Sequence, residues 1–161
     1  MKILIRIVQI VIAFGVLLGI LSLFMAILSR FVKRPANLGV TDGKLAACPN
    51  SPNCVSTQSS DARHRIDAIT FEGSPDKAQA ILVDIVRSME QSEIIRNEPG
   101  YVYAEFRTKG MGYVDDVEFS IDADAKIIDF RSSSRLPYYD WEVNRKRMEQ
   151  IRTAFRAAAS E

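Results

Sequence analysis

Residues 7–28 form a nearly continuous apolar run, IVQIVIAFGVLLGILSLFMAIL, in which Gln9 and Ser22 are the only polar side chains. A helix of about 20 residues is about 30 Å long, which matches the hydrocarbon core of a bilayer. A cleaved signal peptide has a shorter apolar region and a cleavage site of small residues, whereas here the basic segment SRFVKR follows. A surface helix of a globular protein would show a polar face. We therefore expect an uncleaved transmembrane helix at residues 7–29, preceded by a basic flank at residues 1–6.

Charge divides the chain into two unlike parts. All 20 acidic residues lie after residue 34 together with 16 of the 21 basic ones, so this part has a net charge of about −4. Such a charge does not favour binding to nucleic acid. The other basic residues stand on both sides of the apolar run, where they would meet anionic lipid headgroups, and their near-equal numbers leave the membrane orientation open. They are Lys2, Arg6, Arg30, Lys33 and Arg34.

The remainder of the chain reads as a tether followed by one domain. Residues 30–47 contain Pro, Asn and Gly and lack periodicity, which is typical of a juxtamembrane tether. Residues 48–161 then form the domain, which opens with a cysteine loop. Ser74, Pro75 and Asp76 mark a helix start, and Asp140 is placed to cap a final helix. The predicted elements are a strand at 66–71, a helix to about 89, strands at 93–95, 102–107, 113–121 and 127–132, and a helix at 141–159.

Apolar side chains alternate with a period of two along the predicted strands, which indicates an antiparallel meander with one apolar face. The element order β-α-β-β-β-β-α predicts an α+β fold. We expect an N-terminal transmembrane helix followed by a two-layer sandwich, in which a mainly antiparallel sheet packs on two helices.

Tight turns also suggest a strand register. If Arg107 pairs near Val114 and Ile121 near Lys126, the apolar faces align. This register predicts a charge network on the solvent face of the sheet, in which Asp116 lies opposite Arg131 and diagonal to Arg107.

Asp115 alternates onto the apolar face, with Ser132 as the expected neighbour. A buried carboxylate needs hydrogen bonds or a cation, and polar residues of the last strand and helix could supply them. Either these residues form a buried network that fixes the final helix on the sheet, or they form a pocket for a small anion with Arg135 and Arg145 as donors. The candidate pocket consists of Asp115, Ser132, Ser134, Arg135, Asn144 and Arg145.

Several motifs together resemble the domain of unknown function 1499 family. They are CPNSPNCVSTQ, FRTKGMGYVDDVEF, RSSSR and VNRKR, and the resemblance begins at about Leu38. It implies a small α+β domain that is often secreted or membrane-anchored, in bacterial envelopes and plant thylakoids, and it implies no established activity. The chain departs from the family pattern at Pro137-Tyr138-Tyr139-Asp140-Trp141-Glu142, where a run with smaller residues is expected. Tyr139 or Trp141 would partly fill a pocket at this place.

Cys48 and Cys54 are the only cysteines of the chain. An anchor upstream favours an oxidising compartment, where an even pair of cysteines usually bonds, so we expect a disulfide in a loop that presents Ser51, Asn53 and Gln58. The five-residue spacing does not suit zinc, and a pair of Cys54 with His64 lacks a third catalytic member. We therefore expect neither a metal nor a cofactor.

The sequence favours a single-pass membrane protein of the cell envelope whose domain binds or scaffolds a protein partner or a small anionic ligand. Its N-terminus would lie in the cytoplasm, and its domain in the periplasm or another extracytoplasmic space. Two alternatives stay open. One is a hydrolase or isomerase that uses Asp115, Arg135 and Asn144, and the other is a redox-sensitive domain that faces the cytoplasm.

Overall fold

The computed structural model describes residues 2–109, 112–136 and 139–160 of the chain. It contains an N-terminal helix, an antiparallel sheet and two further helices, which confirms the predicted α+β class. The predicted turn residues Gly110 and Met111, and Pro137 and Tyr138 of the departing segment, lie outside the described residues. The elements are α1 (Lys2–Phe31), β1 (Cys54–Ser56), β2 (Ile69–Thr70), α2 (Pro75–Ser88), β3 (Ser92–Glu98), β4 (Tyr101–Arg107), β5 (Val114–Asp122), β6 (Ile127–Ser134) and α3 (Val143–Ala159).

Helix α1 carries the apolar run. Its segment Lys2–Met25 is long and apolar enough to cross a membrane, and none of it is buried against the rest of the protein. By its length and composition this helix could anchor the chain in a membrane.

The sheet has the order β1-β6-β5-β4-β3, and β2 also pairs with β6. Arg107 pairs with Val114 as predicted. The predicted register of β5 with β6 is wrong by two residues, because Ile121 pairs with Ile128 rather than with Lys126. A shift of two residues keeps every side chain on its own face but changes all cross-strand partners. Strand β1 was not predicted. It begins at Cys54 and pairs with β6, so the cysteine loop is attached to the edge of the sheet.

The main core lies between the inner face of the sheet and helices α2 and α3. Helix α2 begins at the predicted cap, where Ser74 Oγ accepts the backbone N–H of Lys77 at 3.2 Å. Helix α3 begins two residues later than predicted. The buried side chains of α3 follow the helical period and include Asn144, Met148, Ile151 and Phe155. Trp141, at which the helix was predicted to begin, is exposed.

The outer face of the sheet is also covered. Residues 32–45, which we call the strap, belong to the segment assigned to a tether and lie across this face. Leu45 is buried against Tyr101 and Tyr103, with Leu38 packed beside them. Gly39 donates its backbone N–H to Glu118 Oε1 at 2.6 Å, in a backbone conformation with φ of +113° that favours glycine. The strap thereby joins α1 to the sheet directly.

The two cysteines form the expected disulfide, Cys48–Cys54. The loop closed by this disulfide contacts His64, whose Nε2 atom lies 3.1 Å from the carbonyl oxygen of Ser51. The expectation that Asn53 is presented at the surface is wrong. Asn53 is buried, and its carbonyl oxygen accepts the backbone N–H of Ser134 at 3.0 Å.

Candidate functional site

A buried ion pair lies between the sheet and the start of α3. Asp115 Oδ2 accepts a hydrogen bond from Arg147 Nη2 at 2.5 Å, and both side chains are almost fully buried. The guanidinium of Arg147 also stacks on the ring of Phe106, with its central carbon 4.6 Å from the ring centroid. The prediction that Asp115 points into the core is confirmed, and its cation is Arg147.

Asn144 connects this pair to the neighbouring strands. Its Oδ1 atom accepts hydrogen bonds from Arg147 Nη1, at 3.0 Å, and from the hydroxyl of Ser132. Its Nδ2 atom donates to Ser134 Oγ and to Asp140 Oδ2, both at 2.8 Å, and to the carbonyl oxygen of Asn53 at 3.1 Å. One amide thus holds α3, β6 and the cysteine loop in a fixed arrangement.

Two residues of the predicted pocket lie elsewhere. Arg135 turns to the outer face of the sheet, and Arg145 is at the surface, where it donates to the carbonyl oxygens of Arg63 and Arg65. A pocket for a small anion built from these two guanidinium groups is therefore not formed. Asp115 also pairs with Ser134 across the strands rather than with Ser132.

Arg135 is the centre of a second cluster, beneath the strap. It donates to Asp116 through Nε and Nη2, at 2.9 and 2.6 Å, and to Glu105 through Nη2 at 2.6 Å. Tyr103 donates its hydroxyl to Asp116 Oδ1 at 2.5 Å. Arg34 of the strap closes the cluster, since its Nε atom lies 2.6 Å from Glu105 Oε1.

The predicted charge network on a solvent face is wrong in two respects. Asp116 and Arg131 are buried, and Arg131 pairs with Glu118 rather than with Asp116. Arg107 contacts Glu105, 3.1 Å away. Among the described residues, Arg131 Nε is the only buried side-chain nitrogen or oxygen without a hydrogen-bond partner.

The pKa values of three groups in the outer cluster are shifted by their surroundings. Burial favours a higher pKa for Glu105, but the guanidinium groups of Arg34 and Arg135 outweigh it and hold that pKa below its usual value. Burial disfavours the charged form of Arg135, yet the hydrogen bonds to Asp116 and Glu105 prevail and raise its pKa. Burial, followed by the bond to Asp116, raises the pKa of Tyr103. At neutral pH Glu105 is therefore an ionised carboxylate, Arg135 is a charged guanidinium and Tyr103 is a neutral phenol, which suits a structural role.

A cleft of about 190 Å³ opens at the end of the sheet, next to the inner network. Its walls are mostly apolar, and the aromatic residues Tyr139 and Trp141 stand at its rim with ring centroids 5.6 Å apart. Asp115, Ser134 and Asp140 also contribute to its surface. The other lining residues are Thr108, Tyr113, Leu136 and Val143.

Among the described residues, no group of three or more His, Cys, Asp or Glu side chains could hold a metal ion. His64 is buried and contacts Asp61, with Nδ1 3.3 Å from Oδ2, and both cysteines are bonded to each other. A thiol–imidazole pair of Cys54 with His64 is therefore not present in this structure.

Fold and cleft together define a small α+β domain joined to an apolar helix that is long enough to anchor it in a membrane. The family described as "Protein of unknown function (DUF1499)" matches residues 44–155, which is more than half of the chain, so the chain belongs to this family. No curated protein and no solved structure was found to match it. The resemblance in the sequence motifs is thereby confirmed, and most of the strap lies before the matched residues.

Sequence reasoning missed Arg147 as the partner of Asp115. The helical spacing could have indicated it, because Arg147 follows Asn144 by three residues and so lies on the same face of a helix. The packing of the strap on the sheet was missed for another reason. Its sequence lacks hydrophobic periodicity, so nothing in it indicates which surface it covers.

Removal of the Arg147 guanidinium should destabilise the domain strongly. The variant Arg147→Met leaves the Asp115 carboxylate buried without its cation, and such a loss costs about 3–5 kcal/mol of unfolding free energy. The double variant Asp115→Val with Arg147→Met should recover part of this loss, because it removes both charges. Urea unfolding of the full chain in detergent, followed by circular dichroism, measures both effects.

Arg145→Met is the matched control, since Arg145 lies on the same helix with its guanidinium at the surface. Its effect should be within about 1 kcal/mol. Equal destabilisation by Arg145→Met and Arg147→Met would contradict a structural role of the buried pair.

Proposed function

We propose that this chain is a single-pass membrane protein whose domain lies outside the cytoplasm and binds a small ligand, rather than an enzyme. The observation that carries the proposal is the cleft beside Asp115, which combines apolar walls with a few polar groups. Ligand sites commonly have this composition.

The bonding of the polar groups in the cleft favours binding over catalysis. Asp115 is paired with Arg147, and Asp140 accepts the backbone N–H groups of Glu142 and Asn144, at 3.1 and 3.0 Å. Ser134 accepts from Asn144. Polar groups that are hydrogen-bonded within the protein are held in place and can orient a ligand. A catalytic nucleophile would in addition need a general base within hydrogen-bonding distance. Because Arg135 lies on the other face of the sheet, a hydrolase or isomerase site with Asp115 lacks one of its supposed members.

The volume and the lining of the cleft limit the size and the polar groups of its ligand. A cavity of about 150 Å³ can hold benzene, so this cleft accepts one apolar group of about the size of an aromatic ring. A carboxylate has about four acceptor positions, and Arg147 uses only part of those on Asp115. The ligand that fits best therefore has an apolar body and a single hydrogen-bond donor that reaches Asp115.

A second cleft is larger but less suited to specific binding. It has a volume of about 590 Å³ and lies beside Phe71 and Phe155, near the opposite end of the sheet. Its polar lining residues, which include Lys77, Lys126 and Arg156, are all exposed. Exposed polar groups keep their water and discriminate poorly between ligands.

The placement outside the cytoplasm is supported by α1 and by the disulfide. Disulfides form and persist in oxidising compartments, whereas the cytoplasm keeps thiols reduced. A domain that faces the cytoplasm would carry free thiols at Cys48 and Cys54.

Thiol labelling in intact cells, combined with a reporter fused to the C-terminus, tests this placement. We expect neither cysteine to react before reduction, and a reporter that works only outside the cytoplasm to be active. The variant Cys54→Ser is the control, because its Cys48 must then react. Labelling of both thiols together with an inactive reporter would contradict the placement.

Ligand binding is tested with a variant that fills the cleft. Val143 lines the cleft at the partly exposed start of α3, so Val143→Phe should block the cleft without disturbing the core. Thr153→Phe, at an exposed position of the same helix, is the matched control. The full chains are purified from their host cells into lipid nanodiscs, and small molecules bound to them are compared by mass spectrometry.

We expect a compound that is retained by the wild type and by Thr153→Phe but lost from Val143→Phe. The same set of compounds on all three chains would contradict ligand binding in the cleft.

A further inference from the structure

The end of α1 is attached to the same end of the sheet as the cleft. The carbonyl oxygen of Val32, next to the last residue of α1, accepts a hydrogen bond from Arg135 Nη1 at 3.4 Å. Leu136 follows Arg135 in the chain and lines the cleft. One residue pair therefore joins the apolar helix to the wall of the cleft.

This contact fixes the depth of the cleft relative to a bilayer that α1 crosses. The apolar run ends at residue 28, and Val32 lies four residues further, which is about 6 Å along a helix. The headgroup regions add about 10–15 Å in total to a hydrocarbon core of about 30 Å, or about 5–7 Å on each side. The guanidinium of Arg135 is therefore at the level of the lipid headgroups.

Large aromatic side chains are exposed around the cleft, at the same end of the sheet. Trp141 is 70% exposed and Tyr139 is 49% exposed, although their apolar area would normally favour burial. Trp141 and Glu142 have φ values of +51° and +62°, a backbone conformation that is unfavourable for residues other than glycine. Trp and Tyr are enriched where membranes meet water, because their rings contact acyl chains while their polar atoms remain hydrated.

We propose that Leu136, Tyr139 and Trp141, which we call the aromatic rim, form a second membrane contact in the headgroup region of the bilayer that α1 crosses. This inference rests on the anchoring by α1 in the proposed function. The partner is the lipid surface itself, since the hydrogen bond between Val32 and Arg135 brings the rim to the membrane-proximal end of the domain. The cleft then opens towards the lipid, and its ligand enters from the membrane surface.

The fluorescence of Trp141 tests this contact directly, because Trp141 is the only tryptophan of the chain. The full chain is reconstituted into vesicles of phosphatidylethanolamine and phosphatidylglycerol. These vesicles carry a spin-label quencher either on the lipid headgroup or at the end of the acyl chain. We expect headgroup labels to quench Trp141 several-fold more than chain-end labels.

The control chain carries Trp141→Phe and Ala123→Trp, which moves the single tryptophan to the exposed turn between β5 and β6. This turn lies at the opposite end of the sheet, so neither lipid label should quench it. Extraction with alkaline carbonate shows separately whether α1 is inserted.

An inserted chain whose Trp141 is as weakly quenched as the control would overturn the membrane contact and leave the anchoring by α1 intact. A chain that carbonate removes from the vesicles would overturn the anchoring, and the contact of the rim with it.

Discussion

The cover on the outer face of the sheet, and with it the attachment of α1, depends on the bonds of Arg135 to Asp116 and Glu105. These carboxylates stand on the outer face of the sheet, and an unpaired buried carboxylate costs several kcal/mol. Because Arg135 and Arg34 pair with them, the strap can cover this face without leaving isolated charges beneath it. The central strands β4 and β5 are therefore buried on both faces, by helices on one side and by the strap on the other.

Burial beneath the strap also restrains the apolar helix α1 relative to the domain. A flexible tether would let the domain rotate freely relative to α1, whereas the strap attaches it to the sheet at Arg34, Gly39 and Leu45. The end of the sheet next to α1 is further fixed by the disulfide and by the bonds of Asn144. The position of the cleft is thus set by the same contacts that hold the fold together, and these contacts link the proposed ligand site to the end of α1.

Much of the fold follows from local sequence signals. The caps, the period of the helices and the alternation of the strands predict the α+β class, the disulfide partners are the only two cysteines, and alternation places Asp115 in the core. The register of β5 with β6 was wrong because alternation repeats every two residues, so a slip of two residues satisfies the same apolar pattern. Asp116 and Arg131 were assigned to a solvent face because alternation separates polar from apolar faces but does not show what covers the polar one. Asp115, Ser134, Tyr139 and Trp141 were all assigned to a pocket, and all four line the cleft. Its apolar walls could not be predicted, because they include Tyr113, Leu136 and Val143 from three separate segments of the chain.

The central claim is that the strap is a fixed part of the domain. Hydrogen exchange of the full chain in nanodiscs, read by mass spectrometry on peptides from residues 34–47, tests it most directly. We predict slow exchange of the Gly39 and Leu45 amides, which donate to Glu118 and Gln58. The variant Arg135→Met should raise exchange in these peptides while β4 and β5 stay protected. Fast exchange of residues 34–45 in the wild type, with β4 and β5 protected, would contradict the account.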